Sequence, residues 1–227
     1  MREVAAKARR FDAGWVELRA GTVPLDQLRT KPERTDFQET STYQDVVDFM
    51  NAVAKAAPGK VHLTTFGETN EKRALPLAVV GAPAATPEAV RGTGKIRVYI
   101  QGNIHGGEVE GKESAQMLLR ELAEGKHDDW LKTMVFLIAP IYNADGNERF
   151  ALNNRGPQHG PMGGQGQRPN AQGLDLNRDH MKLDSPEARA VVTLSVARTE
   201  NDCCAGLISA AYCAAMAVSV IRLGIIR

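Results

Sequence analysis

Ile96-Arg97-Val98-Tyr99-Ile100, closed by Gly102, and Met134-Val135-Phe136-Leu137-Ile138 further along are the two runs whose reading decides the fold. The first reads as a strand ending at glycine. The second is apolar on both faces, as suits a central strand of a mostly parallel sheet. Between them, Ala115, Leu118, Leu119 and Leu122 share one face of a helix that begins near Glu110 and stops at Gly125. Strand, helix, strand in that order, with a further helix opening at Ser185-Pro186-Glu187, predicts one α/β domain, a mixed and mostly parallel sheet flanked by helices.

Working outward, the upstream half adds a helix and a hairpin. Val46, Val47, Phe49, Met50, Val53, Ala54 and Ala57 recur at helical spacing, with Ser41 or Thr42 as cap and Gly59 as stop. Val61 to Phe66 and Leu75 to Val80 read as short strands joined through Gly67-Glu68-Thr69-Asn70. Leu28-Arg29-Thr30-Lys31-Pro32 reads as a linker, and residues 156–173, rich in Gly, Pro, Gln and Asn, as a long surface loop. The divisions expected are residues 1–40 as extension and linker, 41–200 as the α/β domain, and 201–227 as a tail of different composition.

The chain has 227 residues, 43% hydrophobic and 24% charged, which excludes a disordered, collagen-like or coiled-coil protein. Its formal charge of +1 supplies no net field for nucleic acid or an anionic membrane, and neither is expected as a partner. No apolar run of signal-peptide length opens the chain, so the default expectation is cytoplasmic. The 3 cysteines, Cys203, Cys204 and Cys213, form neither a disulfide framework nor a paired-Cys zinc site. They stand in a tail that carries no charge from Ala205 to Ile221. This segment reads as a tail anchor, as a buried helix, or as sequence foreign to the ancestral fold through a frameshift or truncation; the clustered cysteines favour the third.

Chemistry concentrates in three stretches. Gly102-Asn103-Ile104-His105-Gly106-Gly107-Glu108 lies between strand and helix, and its glycines let His105 and Glu108 turn toward one point. An imidazole and a carboxylate are a normal pair of zinc ligands; the competing reading is a loop histidine and a helix-starting glutamate on the helix dipole. Gly106, Gly111 and Lys112 have phosphate-loop spacing, but Glu113 replaces the expected Ser or Thr, and Glu108, Glu110 and Glu113 would repel a triphosphate. Pro140-Ile141-Tyr142-Asn143-Ala144-Asp145-Gly146 follows the buried strand, where open α/β sheets place their sites, although Asn-x-Asp-Gly is also a good turn. In Asp175-Leu176-Asn177-Arg178-Asp179, Asn177 and Arg178 can bind a carboxylate, and Arg155 is a second cation able to reach the same pocket.

In this order, these pieces resemble the zinc carboxypeptidase family of the carboxypeptidase A type, bacterial branch, over about residues 36–195. The resemblance implies that His105 and Glu108 are two of three protein ligands to one zinc ion. It implies that Arg155 polarises the scissile carbonyl, that Asn177 and Arg178 grip the terminal carboxylate, and that peptide or protein C-termini are the partners. The family's third ligand, a His, and its catalytic Glu lie further along than the matching motifs. Here no histidine follows His180, which is read as a stacking side chain, and His159 as a loop residue. The expectation is therefore an incomplete catalytic domain, weakly active or inactive, with self-association through an exposed sheet edge. The alternative is a non-catalytic module that binds peptide C-terminal carboxylates.

Overall fold

The computed structural model describes residues 23–156, 160–199 and 205–209. His159, the three cysteines and most of the apolar tail lie outside the described residues. In chain order the elements are α1 (Lys31–Arg34), α2 (Tyr43–Ala56), β1 (Val61–Glu68), β2 (Ala74–Val80), α3 (Pro87–Arg91), β3 (Ile96–Gln101), α4 (Val109–Glu124), β4 (Met134–Ala139), α5 (Ala144–Asn147), α6 (Pro186–Thr199) and β5 (Ala205–Ser209).

The strands form one mixed sheet in the order β1-β2-β4-β3-β5. β1–β2 and β2–β4 pair antiparallel, whereas β3 pairs parallel with both β4 and β5. The α/β architecture is as expected, with parallel and antiparallel pairs in balance among the described strands. The β1–β2 hairpin accounts for one of the antiparallel pairs, since a short connection can join only antiparallel neighbours. The first part of the apolar tail, Ala205–Ser209, is a strand beside β3.

Side chains alternate through the sheet into two cores. On one face Phe136 and Ile138 of β4 and Val98 of β3 pack with Val46, Phe49 and Val53 of α2 and Leu119 and Leu122 of α4. On the other, Val135, Leu137 and Tyr99 pack with Val90 of α3 and Val191 and Leu194 of α6. That two-sided burial is why β4 is apolar throughout.

Three local readings are corrected. Leu28–Pro32, expected as a linker, leads into α1: Thr30 and Glu33 form a capping box, Leu28 is buried, and Arg120 of α4 grips both Glu33 oxygens at 2.7 Å. The Asn143–Gly146 turn continues as the one-turn helix α5, with the Asn143 side chain accepting from Gly146 N–H at 2.9 Å. The loop after it has a buried part, where Gln165 and Asn170 are enclosed.

Candidate active site

β3 and β4 run parallel and end side by side, so the loops leaving their carboxyl ends meet. Tyr142 N–H donates to Gly102 carbonyl at 3.2 Å and Asn143 N–H to Asn103 carbonyl at 2.9 Å. Asn103 organises the first loop. Its backbone is left-handed (φ 60), a conformation Asn tolerates better than most residues. Its side-chain amide donates to the carbonyls of His105, Gly106 and Glu108 at 3.0–3.3 Å.

Glycines let three backbones meet without side chains between them. A Cβ on Gly106 would stand 2.5 Å from Asn147 N, and one on Gly166 would stand 2.7 Å from Gly106 carbonyl oxygen. A Cβ on Gly107 would stand 2.5 Å from Gly166 carbonyl oxygen. The seam therefore joins the His105 loop, α5 and the 165–168 loop. Gln167 N–H donating to Gly146 carbonyl at 2.9 Å closes it.

On this frame His105 is buried between two carboxylates. Nδ1 lies 2.8 Å from Glu108 Oε1, and Nε2 lies 2.8 Å from Asp175 Oδ1, from 70 residues downstream. Burial opposes charge on the ring, but the bonds to Glu108 and Asp175 outweigh it and raise the His105 pKa. For Asp175, burial raises the pKa, yet hydrogen bonds from His105 and Arg168 and from Asn177 N–H hold the carboxyl at about 2. Glu108 occupies the N-cap of α4 but makes no capping bond. The helix-dipole reading therefore does not account for where its carboxylate points. Oε1 takes His105 and the Arg155 guanidinium, at 3.3 Å, while the buried Oε2 has no hydrogen-bond partner among the described residues.

The anticipated residues divide into two groups. His105, Glu108 and Arg155 come together. Asn177 and Arg178 reach the centre through the backbone: Asp175 accepts from Asn177 N–H at 3.0 Å while holding His105. The Arg178 side chain is itself exposed and donates to Asn177 carbonyl. Asp175 and Arg168 were not singled out from the sequence. Arg168 donates to Asp175 Oδ2 through Nη2 at 2.8 Å and Nε at 3.1 Å. Asp175 stands inside the Asn–Arg stretch without a role of its own, and the signal for Arg168 was only the proximity of Gln167-Arg168-Pro169 to that stretch. His180 stacks on Tyr142, with ring centroids 6.4 Å apart.

The phosphate-loop reading fails on burial. Lys112 is fully enclosed, its ammonium donating to Ser41 carbonyl and, at 2.6 Å, to Asn147 Oδ1. It points into the protein, where no phosphate reaches it.

A metal fits one side of this centre. A buried, unpartnered carboxylate oxygen beside an imidazole nitrogen is an incomplete donor set of hard oxygen and borderline nitrogen. Metal-bound imidazoles commonly give their other N–H to a carboxylate, as His105 Nε2 is placed to do with Asp175. Asp175 stands on the opposite edge of the ring from Glu108, so these acids do not converge. Among the described residues, no group of three or more His, Cys, Asp or Glu is arranged to hold a metal. Also among them, no helix is long and apolar enough to cross a membrane.

The profile described as zinc carboxypeptidase matches residues 46–201. Carboxypeptidase 2 of Trichophyton tonsurans is 29% identical over 180 residues, covering 77% of this chain and 28% of the relative. Carboxypeptidase D of Mus musculus is 32% identical over 170 residues, covering 62% of this chain and 12% of the relative. The crystal structure of a metallo-carboxypeptidase from Burkholderia cenocepacia superposes with a TM-score of 0.52 at 26% identity, covering 70% of this chain and 38% of that one. The chain thus spans about a quarter of the fungal relatives' length.

Proposed function

We infer the function from one premise: this chain belongs to the zinc carboxypeptidase family. We propose that it is a zinc-dependent metallocarboxypeptidase, or the part of one, that carries the first two metal ligands and the grip on a peptide's C-terminal carboxylate. The observation that supports this most is the orphaned, buried Glu108 Oε2 beside His105 Nδ1. His105 and Glu108 would hold the ion. When bound, zinc supplies a Lewis acid that brings the pKa of water toward ~7.

The chain's own residues do the rest. Asp175 fixes the orientation of His105 and, by capping Asn177, positions the turn that presents Asn177 and Arg178 to a carboxylate. Arg155 and Arg168 are the two guanidinium groups at the centre, available to stabilise negative charge on a scissile carbonyl oxygen. Arg155 already serves Glu108, whereas Arg168 is anchored through Asp175 with nearly half its side chain exposed. The role first expected of Arg155 therefore falls at least equally to Arg168.

The test is zinc titration with a peptide-hydrolysis assay on the 227-residue chain. Zinc uptake abolished in His105→Ala and Glu108→Ala supports the ligand pair; uptake unchanged in both overturns it. Turnover falling in Arg168→Lys, with zinc affinity kept, separates charge stabilisation from metal binding.

A second reading, a carboxylate-binding module without catalysis, is favoured by the absence of a convergent three-ligand group among the described residues. Two ligands alone hold zinc weakly, because affinity depends on a complete set. Calorimetry with a peptide and its C-terminal amide tests it. Selective binding of the free acid without turnover supports this reading, and turnover refutes it.

A further inference from the structure

We propose that Glu187 is a positioning residue of the site: by holding Asn170, it sets the turn that brings Asp175 against His105. The inference rests on the peptidase reading for its link to zinc and adds to that reading a residue remote from the ligands.

Residues 170–179 carry Asp175, Asn177 and Arg178, and both ends of this stretch are tied to the start of one helix. At the near end, the Asn170 side-chain amide donates to Glu187 Oε2 at 3.4 Å. At the far end, Asp179 accepts from Asp184 N–H at 2.8 Å and from Ser185 N–H at 2.7 Å. Ser185 Oγ accepts in turn from Ala188 N–H at 3.0 Å, which caps α6. Between these anchors, Leu176 is buried in the same apolar core as Val191 and Leu194 of α6. One helix thus fixes a stretch whose own regular structure is a single three-residue helical turn.

Asn170 also builds the turn in front of Asp175. Its Oδ1 accepts from Gln172 N–H and Leu174 N–H, both at 3.0 Å. Its backbone N–H donates to Leu174 carbonyl at 2.9 Å, and its carbonyl accepts from Gly173 N–H at 3.0 Å. The next residue is Asp175, which meets His105 Nε2 at 2.8 Å. An Asn amide has an acceptor on one side and a donor on the other. Turned over, it would set its own N–H groups against those of Gln172 and Leu174. Glu187 Oε2, an acceptor on the donor side, makes the productive orientation the stable one.

Glu187 is suited to this part rather than to packing. It is fully buried, and its Oε1 has no hydrogen-bond partner among the described residues. An apolar side chain of similar size would fill the place without that desolvation. Burial pushes its carboxyl up and Asp145 adds to the shift, against bonds from its own N–H, from Asn170 and from Asn70 N–H. A carboxyl held toward its neutral form matches a glutamine in size and as an acceptor. Reach, more than charge, then makes the contact.

The test compares three variants of the metal-free 227-residue chain at pH 7. Glu187→Gln keeps the reach, Glu187→Asp shortens it by one methylene, and Leu194→Ala loosens the same helix without touching the contact. NMR follows exchange with water of two protons that Asp175 accepts, those on His105 Nε2 and Asn177 N. Both should exchange about tenfold faster in Glu187→Asp and within about twofold of native in Glu187→Gln. Leu194→Ala should lower the melting temperature yet leave both within about twofold. Zinc titration should give the same order, with affinity falling about tenfold in Glu187→Asp alone.

Unchanged exchange in Glu187→Asp, or exchange quickened equally by Glu187→Gln or Leu194→Ala, overturns the positioning role. Exchange in the expected order, with no zinc bound even by the native chain, supports the positioning role and overturns the zinc reading. Zinc affinity lost in Glu187→Asp without faster exchange overturns the positioning role and leaves the zinc reading standing. A nuclear Overhauser contact between the Asn170 amide protons and the Glu187 side chain, measured in the native chain, is also expected. Its absence overturns the proposal even if Glu187→Asp does not fold.

Discussion

Glu108 and Glu113 lie five positions apart at the start of the same helix, both buried, with opposite surroundings. Glu113 is saturated. Thr40 Oγ1, Ser41 N–H, Ser41 Oγ and Gln116 Nε2 donate to it at 2.6–2.9 Å, and the Lys112 ammonium stands 3.6 Å away. Among the described residues, Glu108 takes one imidazole and one guanidinium on Oε1 and nothing on Oε2. Burying a carboxylate with every lone pair answered holds a fold together. Leaving one lone pair unanswered costs stability that a ligand can return. The difference separates a structural acid from a functional one more sharply than residue type does.

The largest expected effect is at the structural acid. Glu113→Ala leaves the Lys112 ammonium buried without its anion and should cost about 3–5 kcal/mol in urea unfolding. Glu108→Ala should change unfolding by less than about 1 kcal/mol while lowering zinc affinity about 100-fold or more by titration. If the two variants exchange these outcomes, the comparison is broken.

Next is the glycine seam. Gly166→Ala drives a methyl into the Gly106 carbonyl and Asn147 and should cost about 1–3 kcal/mol by overpacking. Because the seam carries the His105 loop, zinc affinity should fall with it. Stability lost at unchanged affinity would show the seam to be structural alone.

The smallest effect concerns a third carboxylate, partly buried. Burial raises the Glu33 pKa, but bonds from Arg120 and from Thr30 outweigh it and hold the carboxyl at about 2. Below its ordinary range the unfolded chain takes up the proton first, so this stabilisation is complete above about pH 4.5 and lost as pH falls toward 2. Glu33→Gln should cost about 1–2 kcal/mol at pH 7, with the gap from the native chain closing across that window. A gap constant from pH 6 to 3 would assign the loss to packing.

Much of the frame was legible because local periodicity and burial coincide. β3, β4 and α4 each show their pattern within a single element, and Gly125 ends α4 in the left-handed conformation expected of it. His105 and Glu108 were legible for the same reason, as neighbours on one glycine-rich loop. Asp175 and Arg168 were not: Asp175 meets His105 only after 70 residues of chain return, and no local pattern encodes that contact. The linker reading of Leu28–Pro32 failed because Thr30 and Glu33 satisfy each other in a four-residue helix, too short to display a period. The Gly- and Gln-rich loop hid its buried part because Gln165 pairs its backbone with Ala151 in an isolated bridge, and Asn170 accepts through its side chain from Gln172 and Leu174 N–H.

The seam where Gly106, Gly146 and Gly166 touch backbone to backbone has a consequence for how this protein can diversify. A junction made mainly of backbone offers little to trim or enlarge, so its geometry is inherited whole or lost. A combinatorial library drawn over this surface should keep those three codons nearly invariant among its folded members. Tolerated variation should collect where side chains already face solvent, as those of Phe37, Leu152 and Met162 do.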